Sequence, residues 1–163
     1  MRLLSLLAAL AVLPLAGCDG GGGGDNCAEF GFRSAGTLTA SVDGQPLRAD
    51  CYNVFAENGL TYITGYGFGD SATDLRSPIA LVIGGASSGA YEINGDDPTD
   101  VSTAQISPGG EFGGSGEASR AESGEILVTS YSETQLRGTF NFVTESGVRV
   151  SVGVFDLDVA GLL

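Results

Sequence analysis

Between Gly36 and Val159 the apolar residues alternate with polar ones in short runs, and clusters of Gly, Asp, Asn, Ser and Pro separate the runs. Period-two alternation gives a β-strand one apolar face, and the 3.6-residue period of an amphipathic helix is nowhere sustained. The pattern predicts one all-β domain, an antiparallel β-sandwich or a closed β-barrel of about eight to nine strands. The candidate strands are Gly36–Val42, Gln45–Phe55, Leu60–Phe68, Pro78–Ile83, Ala90–Ile93, Val101–Ile106, Glu125–Tyr131, Gln135–Val143 and Val148–Val159. Gly114–Glu125, rich in Gly, Ser and Glu, reads as a mobile loop.

Two hairpins can be placed in register. Asp43-Gly44 suits a type I′ turn, which needs positive φ at both central positions. That turn opposes Val42 to Gln45, Ala40 to Leu47, Leu38 to Ala49 and Gly36 to Cys51, so Cys51 joins an apolar face. Near the C-terminus, Leu136, Gly138, Phe140 and Phe142 share a face, as do Val148, Val150, Val152 and Val154. Opposing Phe142 to Val148 and Phe140 to Val150 joins those faces across a loop at Val143–Gly147. The apolar phase then changes to Phe155, Leu157 and Val159, which predicts a β-bulge near Gly153 or a strand end lying between layers.

The N-terminus obeys different rules. Met1-Arg2 precedes an apolar run from Leu3 to Leu15, broken by Ser5 and Pro14. As a helix this run would span about 20 Å, short of a hydrocarbon core of about 30 Å, so it reads as a secretory signal over residues 1–17. Leu15-Ala16-Gly17-Cys18 resembles the lipobox of bacterial lipoproteins. The resemblance implies a diacylglyceryl thioether on Cys18, cleavage before it, and acylation of the new amino group by a palmitate-class chain. The alternative is an ordinary secreted protein in which Cys18 pairs with another cysteine. Each buried acyl CH₂ contributes about 0.8 kcal/mol, so three chains would hold the protein permanently on a membrane. Residues 18–26, with five consecutive glycines, read as a lipidated cysteine on a flexible tether, and 27–163 as the β domain. Asp19 resembles an inner-membrane retention signal of enteric bacteria; sorting elsewhere differs, and the outer membrane is favoured over the inner.

The domain itself resembles the C-terminal β domain, of unknown function, of short bacterial lipoproteins. The residues that carry the likeness are Val42-Asp43-Gly44 with Ala49, Gly89-Ala90-Tyr91, Gly138-Thr139-Phe140-Asn141-Phe142 and Gly153-Val154-Phe155-Asp156-Leu157. An aromatic usual in that family is replaced by Leu47. The resemblance implies an all-β envelope lipoprotein and supplies no catalytic residue.

Composition removes whole classes of chemistry. The chain has no histidine, no lysine and no tryptophan, and twenty acidic residues against seven arginines give a net charge of −13. Such a surface repels nucleic acid and anionic headgroups. Without histidine there is no Ser-His-Asp or Cys-His pair and no imidazole ligand, and without lysine no Schiff base. Setting Cys18 aside leaves Cys27 and Cys51, which read as one disulfide in an oxidising compartment, with free buried thiols as the alternative. The acidity suits either solubility or a saline habitat, where salt screens the repulsion.

Carboxylate chemistry and oxygen-ligand metal binding remain. Asp156 and Asp158 share one face of the last strand, about 6–7 Å apart along it, near the spacing of glycosidase carboxylates; the solvent face of a strand explains them equally. Asn94, Asp96, Asp97 and Asp100 crowd one loop and are candidate calcium ligands, though without EF-hand spacing. Asp70 and Asp74 are a weaker acidic pair. Tyr52, Tyr62, Tyr66, Tyr91 and Tyr131 could line a ligand site or be partly buried. Taken together, the sequence reads as a monomeric envelope lipoprotein, non-enzymatic, binding an unidentified protein, glycan or small ligand or forming part of the surface layer. The rivals are a carboxylate-dependent glycan hydrolase and a barrel that holds a small ligand inside.

Overall fold

The computed structural model describes residues 24–68, 75–85, 87–95, 102–107 and 118–161. Cys18, the signal segment, Asp70, Asp74, Asp96, Asp97 and Asp100 lie outside them. A short helix, α1 (Gly24–Glu29), precedes ten strands: β1 Gly36–Val42, β2 Gln45–Arg48, β3 Cys51–Glu57, β4 Leu60–Phe68, β5 Leu75–Ile83, β6 Gly89–Asn94, β7 Thr103–Ile106, β8 Ser119–Tyr131, β9 Gln135–Thr144 and β10 Arg149–Asp158. The all-β antiparallel expectation holds. The sheet runs β2-β1-β10-β9-β8-β7-β5-β4-β3, with β6 added on β8, and curls into a half-barrel.

The first hairpin follows the turn chemistry. Asp43 and Gly44 take φ values of 47° and 82°, and Val42 pairs with Gln45 and Ala40 with Leu47 as the sequence requires. Asn58 and Gly59 (φ 53° and 81°) make a second turn of the same kind between β3 and β4.

The expected strand Gln45–Phe55 is two strands. The Ala49 N–H still donates to Leu38 O at 2.9 Å, but the next N–H, of Asp50, donates to Tyr66 O at 2.8 Å. The chain therefore crosses to the far end of the sheet between these residues. Gly36 consequently pairs with Leu157, not Cys51, and Cys51 pairs with Tyr66. This crossing makes two strands, β2 and β3, of one expected strand.

At the C-terminus Phe142 opposes Val150, not Val148, and Phe140 opposes Gly153. A two-residue slip preserves which side chains share a face, so the period-two pattern alone could not have excluded it. The bulge near Gly153 is present: the register shifts between Val150 and Gly153, and Val152 adopts φ 51°. The phase changes earlier than expected, so Val152 and Val154 face outward with 79% and 39% exposure. Both other departures have simple causes. Residues 119–125 belong to β8 because Ser123, Gly124 and Glu125 pair on both edges, with β6 and with β9. The end of the expected tether is helical from Gly24, and Gly31 at φ 74° closes that turn.

The core lies inside the curl. Phe140, Phe142, Phe155, Leu38, Ile63, Ile79, Leu81, Ile83, Ile106, Ile126, Leu136 and Leu157 fill it, each less than 2% exposed. A smaller cluster forms on the outer face of β3 and β4, where Cys27, Cys51 and Tyr66 are buried under the N-terminal arm. Cys27 and Cys51 lie at disulfide-bonding distance, with Cα atoms 5.6 Å apart. Phe32 stacks on Tyr66 at 4.1 Å between centroids.

Candidate functional site

Alternation along β10 sends Phe155 and Leu157 into the core and leaves Asp156 and Asp158 on the outer surface. They border an open depression of about 740 Å³ that also touches Thr37, Gln135 and Arg137. Asp156 Oδ1 accepts from Arg137 Nε at 2.9 Å and from Gln135 Nε2 at 3.1 Å. The hydrogen bond and the charge of Asp156 raise the Arg137 guanidinium above its ordinary value. Asp158 Oδ1 accepts from the Ala160 N–H at 3.0 Å and lies 3.7 Å from Arg33 Nη1. Both carboxylates are therefore engaged in tying down strand ends. A general acid or base needs its proton-transfer atom within reach of substrate, so a hydrolytic step would first have to break these contacts.

Of the calcium candidates, Asn94 lies at the end of β6, paired with Ser123 and exposed. Its three aspartate companions fall outside the described residues. Among the described residues no group of three His, Cys, Asp or Glu side chains is placed to hold a metal ion.

The tyrosines divide by environment. Tyr52 is 2% exposed and points into the core side of β3; its hydroxyl lies 2.9 Å from the carbonyl oxygens of Ala35 and Asp158 and accepts from the Asp158 N–H at 3.0 Å. Burial raises its pKa, as it does that of Tyr66. Tyr131 meets the Thr61 hydroxyl at 3.2 Å, and Tyr91 donates to Ser87 O at 2.8 Å. Tyr62 borders an open groove.

That groove, of about 460 Å³, runs across the outer face of β4, β5, β7 and β8. Its floor is Ala80 and Val82 with Thr64 and Thr103, and its far side is Gln105 and Arg120. Cross-strand pairing fixes the arrangement: Phe55 opposes Tyr62, Tyr62 opposes Val82, Val82 opposes Thr103, and Gln105 opposes Arg120. The Phe55 and Tyr62 rings are parallel within 6° and 4.6 Å apart, so they stack face to face. One face of Tyr62 is thus covered by Phe55, and the ring borders the groove beside Val82, its cross-strand partner on β5. Sequence periodicity could place Tyr62 on a face; it could not say that Ala80 and Val82 would sit beside it.

No helix among the described residues is long and apolar enough to cross a membrane. Comparison of the chain with protein-family models, with curated proteins and with solved structures gave no match.

Proposed function

We propose that this chain is a lipid-anchored protein of the bacterial cell envelope whose β domain is a non-enzymatic binding module. The observation that carries the reading is Leu15-Ala16-Gly17-Cys18 placed directly after a short apolar run and before a glycine tether. Cys27 and Cys51 at bonding distance suit an oxidising compartment outside the cytoplasm. The absence of histidine and lysine, with Asp156 and Asp158 both engaged by arginines, favours binding over catalysis. The domain would act as a monomer held to the membrane through Cys18, with nucleic acid disfavoured by its charge.

The test is expression of the whole chain in a lipoprotein-processing bacterium, followed by membrane fractionation and mass spectrometry of the mature N-terminus. A triacylated Cys18 in the membrane fraction, with release on Cys18→Ala, is the expected result. An unmodified Cys18 would overturn the anchoring. Inner- and outer-membrane fractions from the same preparation decide between the two membranes.

A further inference from the structure

We infer that the groove between Tyr62 and Arg120 binds a short saccharide carrying a carboxylate, a uronic-acid unit; this deepens the binding-module reading and rests on it. The groove spans four neighbouring strands, so its walls stand about 14 Å apart at about 4.8 Å per strand spacing, the length of two linked sugar rings. Its volume of about 460 Å³ falls within the usual ligand-site range of about 300–1,000 Å³.

Each wall supplies a different recognition chemistry. The face of Tyr62 away from Phe55 is electron-rich, and the C–H groups on one face of a pyranose ring are weakly positive, so the two can pack together at the groove. Phe55, stacked behind Tyr62, holds that wall upright, so little side-chain freedom is lost on binding. The floor is low because Ala80 and Val82 are small, which lets a flat ring settle against Tyr62. Thr64, Thr103 and Gln105 bring hydroxyls and an amide that can donate to or accept from sugar hydroxyls.

The far wall decides the charge. Arg33 and Arg137 are paired with Asp158 and Asp156, whereas Arg120, like Arg48 and Arg149, makes no ion pair with another described residue; of these three, Arg120 lines the groove. Its Nε lies 3.4 Å from Thr103 Oγ1, a long contact that leaves the outer fork of the guanidinium open. In a chain of net charge −13, this guanidinium stands across the groove from an aromatic wall. A planar fork matches a carboxylate bidentately. Screening over about 8 Å at physiological salt lets Arg120 attract one carboxylate, while a long polyanion would meet the acidic remainder of the surface. A short acidic saccharide satisfies both conditions.

The experiment is titration calorimetry of the full lipidated chain in detergent micelles. The probes are a panel of uronic-acid disaccharides of different linkages, their neutral counterparts, and an acetylated acidic tripeptide. At least one acidic disaccharide should bind, about tenfold or more tighter than its neutral counterpart, as a charge-assisted pair implies. Arg120→Gln should abolish that preference without weakening the neutral sugar. Tyr62→Leu should weaken both by about tenfold, and Tyr62→Phe should restore binding, because stacking needs the ring and not the hydroxyl. Melting midpoints establish that the variants are folded. Failure of every disaccharide to bind, indifference to both substitutions, or binding of the peptide alone would each overturn the inference. Lipid analysis of Cys18 separates the two readings: saccharide binding with an unmodified Cys18 refutes the anchor alone, and a lipidated chain without binding refutes the groove alone.

Discussion

The Tyr52 hydroxyl lies 2.9 Å from the carbonyl oxygen of Asp158 and 3.0 Å from its N–H, so one phenol on β3 meets both main-chain polar groups at the end of β10. These strands lie far apart along the sheet order, and the contact helps to hold the curl. The same hydroxyl reaches Ala35 O at 2.9 Å, and the Arg33 N–H donates to Tyr52 O at the same distance. Tyr52→Phe would leave the Asp158 N–H without its phenol acceptor in a half-buried position. A net loss of about 1–2 kcal/mol is expected in urea denaturation.

Alkaline pH probes the same residue. Desolvation raises Tyr52 and Tyr66 above the ordinary value of 10.0, so the folded chain keeps phenolic protons that the unfolded chain releases. Stability contributed this way is complete below pH 10 and falls as pH rises from there through the raised values. The urea midpoint should therefore decline above about pH 10, and Tyr52→Phe or Tyr66→Phe should each make the decline shallower. An identical decline in the wild type and both variants would contradict the burial argument.

Cys27 and Cys51 close a loop with a sequence separation of 24. In the chain-entropy account such a cross-link contributes about 3.5 kcal/mol by restricting the unfolded chain. Reduction, or the double substitution of Cys27 and Cys51 by Ser, should lower denaturant stability by roughly that amount. It should also loosen the stack of Phe32 on Tyr66, visible as a change in near-UV circular dichroism. Recovery of both cysteines as free thiols in non-reducing peptide mapping would refute the bond.

Gly138 and Gly153 each lie opposite a phenylalanine on the partner strand, Phe155 and Phe140 respectively. A Cβ built on Gly138 would clash with the Leu127 carbonyl oxygen and the Phe155 ring, and one on Gly153 with the Phe140 ring. Neighbouring rings, and at Gly138 also the Leu127 carbonyl, occupy the space that side chains would take. Gly138→Ala and Gly153→Ala should each cost about 1–3 kcal/mol through overpacking. Gly67→Ala is the control: its Cβ would meet nothing closer than Asp50 Oδ2 at 3.7 Å.

Local rules were legible in the sequence, and distant partnerships were not. Asp43-Gly44 specified its turn and register because positive φ at two successive residues is a local demand. Asn58-Gly59 carried the same signal between Leu60–Phe68 and the strand before it. Apolar alternation located nearly every strand, and the bulge near Gly153 showed as a break in phase. The crossing at Ala49–Asp50 left no such mark, because it is set by which carbonyl, Leu38 or Tyr66, each N–H meets. The groove was hidden for the same reason: Tyr62, Val82, Thr103 and Arg120 become neighbours only through the order β4-β5-β7-β8. The ion pairs of Asp156 and Asp158 join residues 19 or more positions apart, so nothing near them in sequence announced that they were engaged.

The net charge of −13 makes the last prediction, on salt. Folding brings the carboxylates of a small domain together, and seven arginines cannot neutralise twenty of them; Arg33–Asp158 and Arg137–Asp156 are two ion pairs among the described residues. Both are half exposed, so they offset little of the repulsion. At about 0.01 M ionic strength the Debye length is about 30 Å and most carboxylates across the domain repel one another; at about 1 M it is about 3 Å. Increasing NaCl should therefore raise the melting midpoint progressively. A calcium site would behave differently, since calcium well below millimolar would stabilise at fixed ionic strength in proportion to the logarithm of its occupancy term. The measurement is a pair of melting series, in NaCl and in CaCl₂ at matched ionic strength. Superimposable rises would assign the effect to screening, and a midpoint flat in NaCl would refute it. A saturating rise at low calcium, lost in Asp96→Asn with Asp100→Asn, would instead make that acidic loop a metal site.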